Sequence, residues 1–100
     1  MVRHASLTVF ADNQVDRSPC GTCTSALMAA LWSTGRLGLN EPFVNESLAG
    51  TRFTGRLVAT ATVGPHRAVV PEITGSAAIT GFHTFVQDPD DPLGDGFLLR

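Results

Sequence analysis

From Val2 to Phe10 apolar and polar positions alternate in part, with Leu7 and Val9 on one side and Thr8 and Phe10 on the other. A period of two predicts a strand. Ala11-Asp12-Asn13-Gln14 is turn-like, because Asp and Asn side chains hydrogen-bond their own backbone. Asp16-Arg17-Ser18-Pro19-Cys20-Gly21 makes a tight loop. A helix is predicted from about Thr22 to Thr34, rich in Ala, Leu and Met. Gly35 supplies its stop signal. The helix pattern is apolar nearly all round. Leu27 and Leu31 form one pair four residues apart, Met28 and Trp32 another, and no charge follows until Arg36. Such a helix is normally buried on all sides, which predicts a central helix wrapped by sheet.

The rest is β-rich. Phe43 to Leu48, Arg52 to Val63, Ala68 to Ile73 and Ala77 to Gln87 carry Val, Ile, Thr and Phe. Val63-Gly64-Pro65-His66 reads as a hairpin turn. Gly50, Gly55, Gly75 and Gly81 favour bends and bulges. Asp88-Pro89-Asp90-Asp91-Pro92 closes the structured part. The fold class is α+β.

Composition narrows the function. The 100 residues amount to one small domain, 43% hydrophobic and 16% charged, which is globular and not disordered. All seven basic residues are Arg, against nine acidic ones, for a net charge of −2. No basic run exists, so nucleic acid is not an expected partner. No apolar stretch approaches membrane-spanning length and the first residues lack a signal-peptide core. Neither a membrane nor secretion is expected, and the expected location is cytoplasmic.

The chemistry concentrates at Pro19-Cys20-Gly21-Thr22-Cys23. Cys20 precedes the helix, where the first N–H groups have no intrahelical partner. Those groups and the helix dipole favour negative charge. A thiol there ionises more easily than a free one. A carboxylate can dock on the N–H groups of Gly21, Thr22 and Cys23, with Gly21 allowing close approach. Asp16 is placed to accept a hydrogen bond from a substrate ammonium. The plain alternative is that Cys20 is a small buried hydrophobe. Cys20 and Cys23 also form a C-x-x-C, the spacing of a thiol–disulfide module. Against that, hairpin-rich sequence and not a clear βαβ unit follows the helix. His4, His66 and His83 add no second ligand pair at zinc spacing, so no metal is expected. Trp32 reads as core, His66 as solvated in its turn, and His83 as packing or surface. Asn45-Glu46-Ser47 fits a glycosylation acceptor, which means little without a secretion signal.

Asp16-Arg17-Ser18-Pro19-Cys20-Gly21-Thr22, then Thr24-Ser25-Ala26, resembles the second cysteine motif of the proline racemase family. The resemblance continues through Glu41-Pro42-Phe43-Val44-Asn45-Glu46-Ser47, Arg52-Phe53-Thr54-Gly55-Arg56, Val70-Pro71-Glu72-Ile73-Thr74-Gly75, Ile79-Thr80-Gly81 and the Asp88–Pro92 run. It implies part of a diaminopimelate-epimerase-like fold, in which two pseudo-symmetric domains each wrap strands around a central helix. It implies cofactor-free chemistry, with two cysteines, one from each half, flanking the substrate α-carbon. Cys20 matches the second of these. Asp16 matches the residue holding the ring nitrogen, Gly21 and Thr22 the backbone donors to the carboxylate, and Phe10 an aromatic position lining the ring pocket. The implied ligand is a cyclic imino acid, hydroxyproline or proline.

Two departures stand out. The family's first motif, Met-Cys-Gly-His, does not occur here, and Cys23 replaces the usual Gly of Cys-Gly-Thr-Gly-Thr. The resemblance therefore implies the C-terminal part of a 4-hydroxyproline 2-epimerase-like protein, inactive alone. Rival readings are an enzyme completed by a homodimer or by a complementing chain, a C-x-x-C redox module, and a non-catalytic remnant.

Overall fold

A computed structural model describes residues 1–99. In chain order the elements are β1 (Val2–Ser6), β2 (Val9–Phe10), β3 (Gln14–Val15), α1 (Gly21–Ser33), β4 (Phe43–Ser47), β5 (Arg52–Val63) and β6 (His66–Thr74). One four-stranded sheet has the order β1-β4-β5-β6, and β2 pairs with β3 as a small antiparallel ribbon. β1 and β4 are parallel, with Val2 opposite Phe43 and Ser6 opposite Ser47. β4–β5 and β5–β6 are antiparallel.

The helix forms where its pattern places it, shifted by a single residue. It ends on a double turn of hydrogen bonds. The N–H of Arg36 donates to Leu31 O at 2.8 Å and that of Gly35 to Trp32 O at 3.1 Å. This is the left-handed glycine stop, and Gly35 has a φ of 74°. Below the helix, Phe43, Asn45 and Ser47 share one face of β4, since alternate residues point the same way. Phe43 joins Met28, Leu31, Leu37 and Leu57 in the core, with Val2, Leu27, Trp32, Val69 and Ile73 at its margin. Gly55 lets the helix sit close. A Cβ there would stand 2.9 Å from the Met28 sulfur. The Trp32 ring lies at this margin beneath the Arg67 guanidinium, 5.0 Å from its centroid, a cation–π contact.

Four sequence expectations change. The strand expected over Val2–Phe10 breaks after Ser6, and its last two residues turn into the ribbon with β3. The helix is not wrapped on all sides. Thr24, Met28 and Leu31 are buried, whereas Thr22, Cys23, Ala26, Ala30 and Ser33 are exposed. The sheet covers one face of it, and no other described residues lie across the opposite face. The missing βαβ unit is present, because β1 and β4 pair in parallel across α1. It was hidden because the β2–β3 ribbon interrupts the connection. The strand expected over Ala77–Gln87 does not form. Its residues favour strands, but a strand needs a neighbour to take its N–H and C=O groups, and β6 is the last strand of the sheet. Ile79, Phe82, Phe85 and Val86 stand exposed instead.

Leu57 is fully buried in the core. Leu57→Ala should destabilise the chain by about 2–5 kcal/mol. Val63→Ala, at an exposed strand end, should stay within about 0.5 kcal/mol. Urea unfolding followed by circular dichroism checks both.

Candidate functional site

The loop between the ribbon and the helix is held from two sides. On its own side, the Asp16 N–H donates to Thr8 O at 2.9 Å. Asp16 Oδ1 accepts from the Ser18 N–H at 2.9 Å, and Ser18 Oγ accepts from the Cys20 N–H at 3.0 Å. From β4 and the turn before β5, the Ser47 and Thr51 hydroxyls donate to Arg17 O at 3.0 and 2.6 Å.

The second hold is buried. Pro19 lies inside, and its carbonyl accepts from Thr24 Oγ1 at 3.1 Å. That hydroxyl accepts in turn from Asn45 Nδ2 at 3.0 Å, and Asn45 Oδ1 accepts from Ser6 Oγ at 3.1 Å. Thr24 and Asn45 are wholly buried, with every buried polar side-chain atom among the described residues satisfied. A network of this kind is rigid because each member is costly to leave unpaired.

This clamp sets Cys20 at the N-cap of α1 with φ 64° and ψ 125°. Positive φ at a non-glycine residue costs on the order of 1–3 kcal/mol and persists only where the surroundings impose it. The outcome is a half-buried Cys20 with its sulfur at the helix N-terminus. Its Sγ accepts from the Cys23 N–H at 3.5 Å. The Cys20 thiol is held below its ordinary pKa. The Cys23 N–H is the main cause, helped by the Cys23 side chain and the Thr22 N–H. Burial and the Asp16 carboxylate oppose it.

The residues expected at the site therefore fall into two groups. Cys20, Gly21 and Thr22 are contiguous at the helix start, and Asp16 is close enough to act on the thiol. A Cβ on Gly21 would meet no atom of this chain within 4 Å, so no packing within the chain requires glycine there. Phe10 stands apart on the β2–β3 ribbon, 54% exposed and outside the core cluster. A shallow groove runs between His4–Val9 and the helix residues Cys23 and Leu27, and neither Cys20 nor Phe10 lines it. No group of three or more His, Cys, Asp or Glu residues among the described residues is arranged to hold a metal ion. No helix among them is long and apolar enough to cross a membrane.

Asn45 escaped the sequence as a site-building residue, because its Asn-Glu-Ser setting reads as a glycosylation acceptor. Its amide is buried against Thr24 and is not available for that. The signal was present in the period of two, which puts Asn45 on the same face as Phe43.

The model of the proline racemase family matches residues 2–98. The chain belongs to the proline racemase family. It is 52% identical over 96 residues to the proline racemase of Acetoanaerobium sticklandii, covering 96% of this chain and 29% of that protein. It is 51% identical over 94 residues to the trans-3-hydroxy-L-proline dehydratase of Bacillus cereus, covering 94% of this chain and 28% of the relative. Among solved structures it resembles a hydroxyproline epimerase from Agrobacterium vitis with bound trans-4-hydroxy-L-proline. The TM-score is 0.80 at 41% identity, over 95% of this chain and 27% of that one. The chain thus spans under a third of the length of these family members. Racemase, dehydratase and epimerase all occur among them, so membership alone does not choose between these reactions.

Two outcomes follow from the clamp. Asn45→Ala should destabilise the chain by about 1–3 kcal/mol, since it leaves the Thr24 and Ser6 hydroxyls short of a buried partner. Urea unfolding measures it. In Cys23→Ser, which keeps the N–H donor, iodoacetamide should alkylate Cys20 with a pH midpoint below the ~8.5 of a free thiol. Because the folded value is the lower one, the ionised sulfur stabilises the fold above the free-thiol pKa, and that contribution fades as pH falls through the folded value. Unfolding the chain in urea should return the midpoint to about 8.5.

Proposed function

We propose that the chain provides one half of a cofactor-independent proton-transfer site acting on the α-carbon of a cyclic imino acid, hydroxyproline or proline. The half belongs to a pair of diaminopimelate-epimerase-like domains. The observation that carries this reading is the Cys20 sulfur held at the N-terminus of α1 as an acceptor of the Cys23 N–H. In that place Cys20 can take the α-proton as a thiolate from one stereoisomer. As a thiol it can return a proton to the carbanion of the other. Such general acid–base catalysis requires the group within reach of the reacting carbon and a pKa near the working pH.

The rest of the site follows from the same helix end. The Gly21 and Thr22 N–H groups receive the substrate carboxylate, as unpaired first-turn donors do for anions. Its negative charge is then held beside the carbon that loses the proton, which stabilises the enolate-like intermediate. Asp16 accepts a hydrogen bond from the ring ammonium. Phe10 lines the ring pocket when the ribbon meets the other half.

Inversion needs a second acid–base group on the opposite face of the α-carbon. Both thiols of this chain stand at one helix end, three residues apart, so they cannot flank one carbon atom. The opposing thiol comes from polypeptide outside these residues. The 100 residues by themselves are expected to bind but not to invert.

The test is a chimera in which residues 2–98 replace the matching segment of the Acetoanaerobium sticklandii proline racemase. It should invert proline or trans-4-hydroxy-L-proline, as followed by polarimetry. Cys20→Ala in the chimera should lower kcat by at least about 10²-fold. A folded chimera whose activity is indifferent to Cys20 overturns the reading. Inversion by the 100-residue chain alone would show instead that a second copy supplies the opposing thiol.

A further inference from the structure

The Cys23 thiol takes and returns no proton in the transfer proposed above, and in the family pattern its place belongs to glycine. It is an exposed free thiol at the third position of α1, one turn above the half-buried Cys20. Three observations bring the two sulfurs together. The helix runs from Gly21, and the Cys20 carbonyl accepts its first bond, from the Thr24 N–H at 2.9 Å. Helix geometry then sets the two Cα atoms about 5 Å apart, inside the ~4.4–6.8 Å range of disulfides. The Cys20 sulfur also lies over the first turn, 3.5 Å from the Cys23 nitrogen.

We propose that Cys20 and Cys23 form a reversible disulfide that protects and switches off the proton-transfer thiol when a hydroperoxide is present. The proposal rests on the reading of Cys20 given above for its consequence, but not for its chemistry. The Cys20 thiolate attacks the peroxide oxygen. The O–O bond breaks, hydroxide leaves as water after taking a proton, and Cys20 becomes a sulfenic acid. The Cys23 sulfur attacks the Cys20 sulfur, a second water leaves carrying the sulfenic oxygen, and the S–S bond forms. The sulfur pair has lost two electrons and the peroxide has gained them. A dithiol reductant reverses the change. In the disulfide form Cys20 has no ionisable S–H, so it can neither take nor return the α-proton. In the 100-residue chain without Cys23 the sulfenic acid has no second thiol and proceeds to the irreversible sulfinic acid.

The sequence makes the pairing simple to read, because the chain has two cysteines and both lie in the tryptic peptide from Ser18 to Arg36. The reduced 100-residue chain is treated with a small excess of hydrogen peroxide, blocked with iodoacetamide, digested and weighed. The expected result is a peptide lighter by two hydrogens that dithiothreitol returns to the dithiol. In Cys23→Ser the same treatment should give sulfinic acid at Cys20, at least about tenfold more than in the parent chain. Equal over-oxidation in both chains, or disulfides only between molecules, overturns the proposal. The chimera described above, if active, should lose inversion with peroxide and regain it with dithiothreitol, and should not regain it when it carries Cys23→Ser. An inactive chimera would count against the proton-transfer reading alone, since the mass measurement still decides the disulfide.

Discussion

The side-chain amide of Asn45 joins three elements at one buried point. It accepts from Ser6 on β1, belongs to β4, and donates to Thr24 on α1. Thr24 passes the link to the carbonyl of Pro19. Nothing apolar could replace this arrangement, because the Thr24 hydroxyl and the Pro19 carbonyl are buried and need partners. The parallel pairing of β1 with β4 and the seat of α1 on the sheet therefore meet in one polar chain. The apolar cluster of Met28, Leu31, Phe43 and Leu57 supplies the larger share of burial. It would tolerate small shifts of the helix, whereas hydrogen bonds near 3 Å do not. The core holds the helix on the sheet, and the Asn45 chain fixes its position along it.

That fixed position accounts for the lowered pKa of the Cys20 thiol. With Pro19 O anchored and the Cys20 N–H donated to Ser18, the backbone at Cys20 has little freedom, and it takes a positive φ. The strained turn carries the sulfur back over the first turn of the helix. There it meets N–H groups that no helix residue can satisfy. Raised acidity of the thiol, backbone strain and the buried clamp are thus three aspects of one constraint. Asp16 works within it in two directions. Its carboxylate orders the loop by accepting the Ser18 N–H, and its charge resists ionisation of Cys20. A cation hydrogen-bonded to Asp16 would relieve that resistance.

Much of this was legible from local pattern. The helix, β4, the β5–β6 hairpin and the loop from Asp16 to Thr22 rest on residues close in sequence, so spacing and turn chemistry reveal them. The parallel β1–β4 pair joins residues about 40 positions apart across a ribbon and a helix, and alternation says nothing about which strands pair. The same limit explains the error over Ala77–Gln87. Val, Ile, Thr and Phe describe what fits a pleated surface, and they do not supply the neighbouring strand. The bond between Asn45 and Thr24 was not foreseen for a related reason. Each is ordinary alone, and their bond links positions 21 apart.

The direction from which a reacting partner approaches Cys20 is also set by the fold. On the sheet side of the helix start, Thr24, Asn45, Ser47 and Pro19 fill the space and are buried. On the other side Gly21, Thr22 and Cys23 are exposed, and the uncharged Ala26 and Ala30 continue the same outward face. Beyond β6, Phe82 and Phe85 are about 90% exposed. The radius of gyration, 18.7 Å, is well above the ~13 Å of a compact chain of this length. Apolar surface left open on this scale marks a place of contact with other polypeptide. In the function proposed above, an opposing acid–base group reaches a substrate held at Gly21 and Thr22 from that open side. On the function proposed above, the face that lacks cover and the face that needs a second thiol are the same face. A segment that covers α1 from this side would exclude water from the Cys20 sulfur as it delivers its own catalytic group.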